Sequence, residues 1–310
     1  MSMRKPSALQ PGDRVAIVAP ASSFATDEFR AGLVELTALD FVPTYDPSVF
    51  ERGAYTAGTP EVRAEALRRA WADPAVAGII TARGGYGSVH LLPLLQPADF
   101  VGPPKVFVGY SDNTSLLTWL TLTCGIVTFH GPMIDGRLSR GPVAYDRDSL
   151  LRCVARPAPV GRITDPRVEA LRTGEASGML IGGTMTQLAA SLGTPYAFDP
   201  PERCVLFLDE VGERPYRIDR LYTQLRLAGI IERASALVFN ELPRCDEPSG
   251  TPVIRDVVGD LTRDFDGPVL FGLPSGHTTG ATLTIPFGVT ARVNTGSRPG
   301  LIIDEAAVQA

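Results

Sequence analysis

From Val15 to Thr123 the chain alternates short apolar, β-branched runs with segments of helical period. Val15–Ala19 reads as a strand, and Asp27–Leu39 places its apolar residues at helical spacing. Pro60, suited to a first helical turn, opens the amphipathic Glu61–Ala72. Gly78–Ala82 is the next strand and Ser88–Leu95 a helix; Val106–Tyr110 is again a strand, and Asn113–Thr123 a helix. Few folds accept this order. Strands joined through helices lie parallel, so the segment predicts an α/β fold, a parallel sheet with helices on both faces.

The chain has 310 residues, more than one hydrophobic core usually organises, since cores stop growing near ~250–300 residues. The division expected is residues 1–135, a connection over 136–175, and a smaller α/β domain over 176–310. The connection is rich in Arg, Pro and Gly, with Pro142, Pro157, Pro159 and Pro166, and has one short helix around Asp146–Ala155. The last part has strand candidates at Ser177–Ile181, Val205–Leu208, Ala234–Phe239, Val269–Gly272, Thr282–Ile285 and Thr290–Val293. Its helices are expected at Met185–Leu192, Arg217–Ala228 and Val253–Phe265.

A formal net charge of -5 gives no reason to expect nucleic acid or an anionic membrane surface as partner. No apolar stretch approaches the ~20 residues of a membrane span, and Val15–Ala19 is too short for a signal-peptide core. A cytoplasmic protein is expected. Cys124, Cys153, Cys204 and Cys245 lie far apart without a C-x-x-C pair, and the three histidines are scattered. Neither a disulfide nor a metal site is predicted, and no cofactor is implied.

The chemistry concentrates at Gly109-Tyr110-Ser111-Asp112-Asn113, where an apolar strand runs through a serine into a helix. A serine there resembles a nucleophile elbow: the turn exposes the hydroxyl, and the next backbone N–H faces a developing oxyanion. The second glycine of G-x-S-x-G is missing, and Ser, Asp and Asn are also ordinary helix caps. Lys105, at the far end of the same strand, lies about 20 Å from Ser111 along an extended chain and cannot be its base. Among His90, His130 and His277, the last sits in the polar turn Gly276-His277-Thr278-Thr279-Gly280 and is the best base. His130 follows the strand-like Ile126–Phe129 and either approaches the site or packs at the strand end. Asp209-Glu210 end a strand with adjacent carboxylates that face opposite ways, so one of them can orient a histidine. Arg83-Gly84-Gly85-Tyr86-Gly87 also follows a strand; its glycines offer N–H groups to a phosphate or an oxyanion.

These pieces occur together, in this order, in one known family. Arg83–Gly87, Gly109–Asp112 and Thr128-Phe129-His130-Gly131-Pro132 resemble the N-terminal half of the LD-carboxypeptidases. Gly182-Gly183, Leu192-Gly193-Thr194-Pro195-Tyr196, Val211–Arg220 and Gly276-His277 are similar to the C-terminal half. The resemblance implies a flavodoxin-like N-terminal domain carrying the nucleophile Ser111 and a C-terminal α/β domain carrying acid and base. His277 would be the base, and the N–H groups of Asp112 and of Gly84 or Gly85 would hold the oxyanion. Relatives place glutamate first in the acidic pair. Counting back from Asp219-Arg220 puts that column on Asp209, with Glu210 the alternative through a local bulge. Relatives also carry asparagine where Thr184 stands.

By the same resemblance the substrate is a murein tetrapeptide that loses its terminal D-alanine during cell-wall recycling, and the protein is a homodimer. Arg83 or Arg217 is a candidate for the terminal carboxylate. A related branch, amidases of the microcin-immunity type, cleaves aminoacyl-nucleotides with an aromatic residue stacked on the base. Trp71 and Trp119 fall in predicted helices, which disfavours that branch, while Tyr145 and Tyr196 keep it open. A non-catalytic nucleotide- or sugar-binding protein built on the Gly84–Gly87 loop is the remaining alternative.

Overall fold

The structure is a computed structural model describing residues 3–310; the first two residues of the expected N-terminal domain lie outside it. The first-half strands are β1 (Arg14–Val18), β2 (Val42–Tyr45), β3 (Val76–Thr81), β4 (Val106–Gly109) and β5 (Thr128–His130). Next come β6 (Pro159–Ile163), β7 (Glu169–Arg172), β8 (Glu175–Thr184), β9 (Cys204–Asp209), β10 (Ala234–Asn240) and β11 (Val269–Leu273). The chain ends with β12 (Ile285–Phe287), β13 (Thr290–Asn294) and β14 (Gly300–Ala306). Between them lie α1 (Thr26–Ala38), α2 (Pro60–Ala72), α3 (Thr114–Leu122) and α4 (Arg147–Val154). Later helices are α5 (Met185–Ser191), α6 (Pro215–Leu227) and α7 (Ile254–Leu261).

The first sheet has the order β12-β5-β4-β3-β1-β2. Its five N-terminal strands are all parallel, in the flavodoxin-like order 2-1-3-4-5. Right-handed crossovers then put α1 on one face and α2 and α3 on the other, because the chain reverses direction across the sheet after β2. Val15, Ile79, Phe107 and Phe129 fill the strands' interior without solvent exposure. The second sheet has the order β6-β14-β13-β8-β9-β10-β11-β7. Its centre, β8 to β11, is parallel and joined through α5, α6 and α7, while the flanking strands run antiparallel. Among the described residues no helix is long and apolar enough to cross a membrane.

Three features depart from the sequence reading. The 136–175 segment is more than a connection: beyond α4 it supplies β6 and β7, the two outer strands of the second sheet. The candidate strand Thr282–Ile285 is shifted to β12, which leaves the C-terminal half and pairs antiparallel with β5. Ser88–Leu95 forms 3-10 turns, since Pro93 lies inside it.

The two units meet where β8 reaches the start of α3. Gly183 has φ +139°, and a Cβ placed on it would lie 2.5 Å from the Thr114 side chain. Beside it the Thr184 N–H donates to the Thr114 hydroxyl at 3.1 Å. Gly183→Ala should therefore destabilise the fold by about 1–3 kcal/mol, read as a lower Tm in thermal unfolding. An unchanged Tm would show that this contact yields without cost.

Candidate active site

In both sheets the parallel strands run toward the same cleft. Ala82–Gly87 follow β3, Ser111 follows β4 and His130 ends β5; Thr184, Asp209 and Asn240 end β8, β9 and β10, and His277 follows β11. Carboxyl ends of parallel strands are where open α/β sheets collect ligands, and here two such edges face each other.

Ser111 sits at a strained turn. Tyr110 is extended and Ser111 has φ 64°, a left-handed conformation uncommon for a residue with a side chain, before the chain enters a 3-10 turn and α3. Gly84 makes room for it, because a Cβ there would come within 2.8 Å of the Ser111 Cβ and 3.0 Å of its Oγ. The Asp112 carboxylate accepts from the Ser88 N–H at 2.7 Å and from Gln187 Nε2 at 3.2 Å, and its carbonyl accepts from the Ser88 hydroxyl. These bonds anchor Asp112, the residue whose N–H follows the serine. Neither Gly84 nor Gly85 donates its N–H to any described residue; Gly85 is exposed, and Gly84 is buried against Ser111.

His277 bridges the two sheets. Its Nε2 lies 3.1 Å from Ser111 Oγ and its Nδ1 2.7 Å from Asp209 Oδ2. A carboxylate only accepts, so Nδ1 carries the proton and Nε2 offers its lone pair to the serine hydroxyl. Asp209 is fully buried and also accepts from the His277 N–H at 3.2 Å, from the Thr184 hydroxyl at 3.2 Å and from Asn240 Nδ2. Burial pushes its carboxyl up, but the charge and hydrogen bonds of His277, with His130 behind, hold it below the usual range. Burial pulls the His277 imidazole down, and the Asp209 charge and hydrogen bond outweigh that and raise it above its ordinary value.

Glu210, expected as the alternative acid, turns the other way. It accepts from the N–H and hydroxyl of Thr186 at 2.9 and 2.7 Å, at the first turn of α5. Regular extension of β9 through Asp209 gives adjacent side chains opposite directions, and no bulge intervenes at Thr184↔Asp209 to reverse them. Arg83 is half exposed, donates to the Ser23 carbonyl and pairs with Asp135 at 3.4 Å. Arg217, on the outer surface of α6, pairs with Glu213. His90 lies 3.5 Å from the Arg63 guanidinium, away from the serine.

Sequence reasoning did not single out Asn240, Arg137 or Arg63. Asn240 bonds Asp209 and also the His277 carbonyl at 2.6 Å; a polar residue ending an apolar strand beside β9 was the available signal. Arg137 donates to the carbonyls of Gly276, Thr278 and Gly280 at 2.8, 3.1 and 3.0 Å, clamping the histidine turn. Buried Arg63 ties the carbonyls of Pro20 and Gly87 together beneath the glycine loop. His130, left open from sequence, is fully buried with Nε2 3.8 Å from Asp209 Oδ2 and Nδ1 3.0 Å from the Ser275 hydroxyl. Burial lowers it to about 4, despite the nearby carboxylate, so it is neutral. Among the described residues no group of three or more His, Cys, Asp or Glu could hold a metal.

Comparison with known proteins agrees with this architecture. Residues 15–131 match the LD-carboxypeptidase N-terminal domain, and residues 177–293 match the C-terminal domain. A putative carboxypeptidase of Streptomyces coelicolor is 38% identical over 94% of this chain and 93% of its own length. The murein tetrapeptide carboxypeptidase of Pseudomonas aeruginosa is 32% identical, covering 91% of this chain and 94% of that one. The solved structure of the microcin C7 self-immunity protein MccF superposes with a TM-score of 0.91 at 22% identity, over 98% of this chain and 99% of that chain, a likeness of fold. The chain belongs to the LD-carboxypeptidase family of serine peptidases.

Proposed function

We propose that the protein is a serine carboxypeptidase that releases the terminal D-alanine from murein tetrapeptides by hydrolysing an L,D amide bond. The observation carrying this reading is the contact chain from Ser111 Oγ through His277 to buried Asp209, built on a left-handed serine turn. In the first step Ser111 Oγ attacks the amide carbon while its proton passes to His277 Nε2. Charge gathers on the former carbonyl oxygen, facing the N–H of Asp112 and of Gly84 or Gly85. The C–N bond then breaks as His277 returns the proton to the departing amine of D-alanine. Water, deprotonated by the same nitrogen, attacks the ester, and Ser111 leaves with the proton. Asp209 stays ionised throughout, holding the tautomer and stabilising the imidazolium.

The substrate class rests on the relatives named for murein tetrapeptides. Recycling of wall fragments in the cytoplasm and a homodimeric assembly extend the same reading. An aminoacyl-nucleotide amidase is less favoured, because three of the aromatic side chains considered for stacking a base are inside, which leaves it half-buried Tyr196 and Tyr86, exposed in the glycine loop. Trp71 and Trp119 pack on Phe100 in the core, and Tyr145 is fully buried against Glu35.

Mass spectrometry of a murein tetrapeptide incubated with the wild type and with Ser111→Ala tests the reaction. Loss of one D-alanine with the wild type alone is expected; cleavage by both proteins would rule out Ser111 as nucleophile. Intact peptide with both would end the wall-peptide assignment.

The pH profile tests the acid and base. His277 must be neutral to accept the proton and its pKa is raised above 6.5, so kcat/KM should climb with pH through an acid limb above that value. Asp209→Asn removes the charge that raises it: the limb should move to lower pH, and kcat should fall by about 10³–10⁴-fold. Glu210→Gln should leave both near wild type. A comparable collapse of kcat in Glu210→Gln with Asp209→Asn still active would reverse the assignment.

A further inference from the structure

Beside the catalytic groups lies a second, polar cavity of about 320 Å³, lined by Tyr110, Arg137, Arg140, Thr278, Thr279 and Gly280 among others. It begins one residue from Ser111 on one side and one residue from His277 on the other. No aspartate or glutamate lines it.

The cavity carries two positive charges, neither of which is hydrogen-bonded to a carboxylate among the described residues. Arg137 spends all five guanidinium N–H groups on neutral acceptors: the Tyr110 hydroxyl and the carbonyls of Ala144, Gly276, Thr278 and Gly280. Its charge therefore has no carboxylate partner, and it has no donor left for a ligand. Arg140 is exposed, and its side chain makes no hydrogen bond or ion pair with any described residue. The neighbouring acids have their hydrogen bonds elsewhere: Glu28 accepts from the Ser139 hydroxyl and the Gly136 N–H, and Asp135, though near enough to feel the Arg140 charge, does not bond it. Asp135 pairs with Arg83, and Glu241 pairs with Arg167 while accepting from Thr278 and Thr279. Two cations facing one concave, acid-free surface are complementary to an anion.

The position identifies which anion. His277 delivers a proton to the leaving amine, so the leaving amino acid lies on the His277 side of the serine. A carboxylate on that amino acid is held within a few bonds of the amine.

We propose that this cavity is the subsite for the leaving residue's free carboxylate, with Arg140 as its hydrogen-bonding partner and Arg137 supplying a fixed field. The assignment rests on the serine carboxypeptidase reading, and it replaces Arg83 and Arg217, which are committed to Asp135 and Glu213. It makes the enzyme a carboxypeptidase in the strict sense, selecting a chain end over an internal or amidated bond.

The test compares the tetrapeptide with its C-terminal carboxamide, using the wild type, Arg140→Gln and Arg140→Lys. The wild type should prefer the acid. Arg140→Gln should raise KM for the acid by about 10- to 100-fold, the loss expected for a charge-assisted hydrogen bond, so that the preference collapses; Arg140→Lys should restore part of it. An unchanged acid-over-amide ratio in Arg140→Gln overturns the subsite while leaving the carboxypeptidase reading intact. A second arm needs no turnover: ligand-observed NMR of N-acetyl-D-alanine and its amide with Ser111→Ala, with and without Arg140→Gln. Acid-selective binding that Arg140→Gln abolishes supports the subsite even where the wild type cleaves neither peptide, an outcome that would sink the wall-peptide reading alone. Equal binding of acid and amide overturns it.

Discussion

Everything the site can do depends on one contact across two sheets, the 3.1 Å approach of His277 Nε2 to Ser111 Oγ. The serine belongs to the first sheet and the imidazole to a turn after the second, so hydrogen-bond geometry must be kept between separately built units. A displacement of about an ångström would break such a bond. The junction is accordingly close: Gly183 allows β8 to reach the Thr114 side chain, and Thr184 bonds both that side chain and Asp209. The histidine turn is gripped from two directions. Arg137 holds its carbonyls from the first half, and Glu241 holds Thr278 and Thr279 from the second.

The same geometry divides two histidines that share a carboxylate. His277 bonds Asp209 directly and keeps a partly open edge, so its cationic form is favoured. His130 lies farther from the same oxygen, is wholly buried, and has no partner for Nε2 among the described residues. Its cationic form is disfavoured, which leaves Asp209 one strong proton donor from an imidazole side chain rather than two. An acid facing two competing imidazolium ions would stabilise neither selectively. Packing against Phe207, Phe287 and Tyr110 is what keeps His130 neutral.

The parallel core of each half was readable because buried parallel strands are continuous apolar runs with helices between them. Most of what escaped was at sheet edges. Strand β2 contains Pro43 and is only partly buried, and β6 opens on a proline and includes Gly161 at φ +80°, so both lack the apolar signature. Strand β14, with Leu301, Ile302 and Ile303, carries that signature inside the sheet, between β6 and β13, yet is absent from the expected strands. Within the site, Ser111, His277 and the Asp209-Glu210 pair stood out because each polar residue follows an apolar strand or sits in a glycine turn. The choice between Asp209 and Glu210 turned on strand phase at the last residue of β9, which depends on the absence of a bulge and hence on tertiary pairing. Arg137 was hidden for another reason. Its role is to bond backbone carbonyls of a distant turn, and no local pattern announces that.

The short strand β12 changes what counts as a unit in this chain. It follows the histidine turn, returns to the first sheet and pairs with β5, the strand that ends in His130. Genetic halves and folding halves therefore do not coincide. A fragment ending at residue 135 would leave the backbone groups of β5 uncovered, an open edge of the kind that recruits other chains. Conversely, the catalytic turn is a span fastened at β11 in one sheet and at β12 in the other. Relative movement of the sheets must pull on His277 from both ends, so assembly of the active site and completion of the fold are one event.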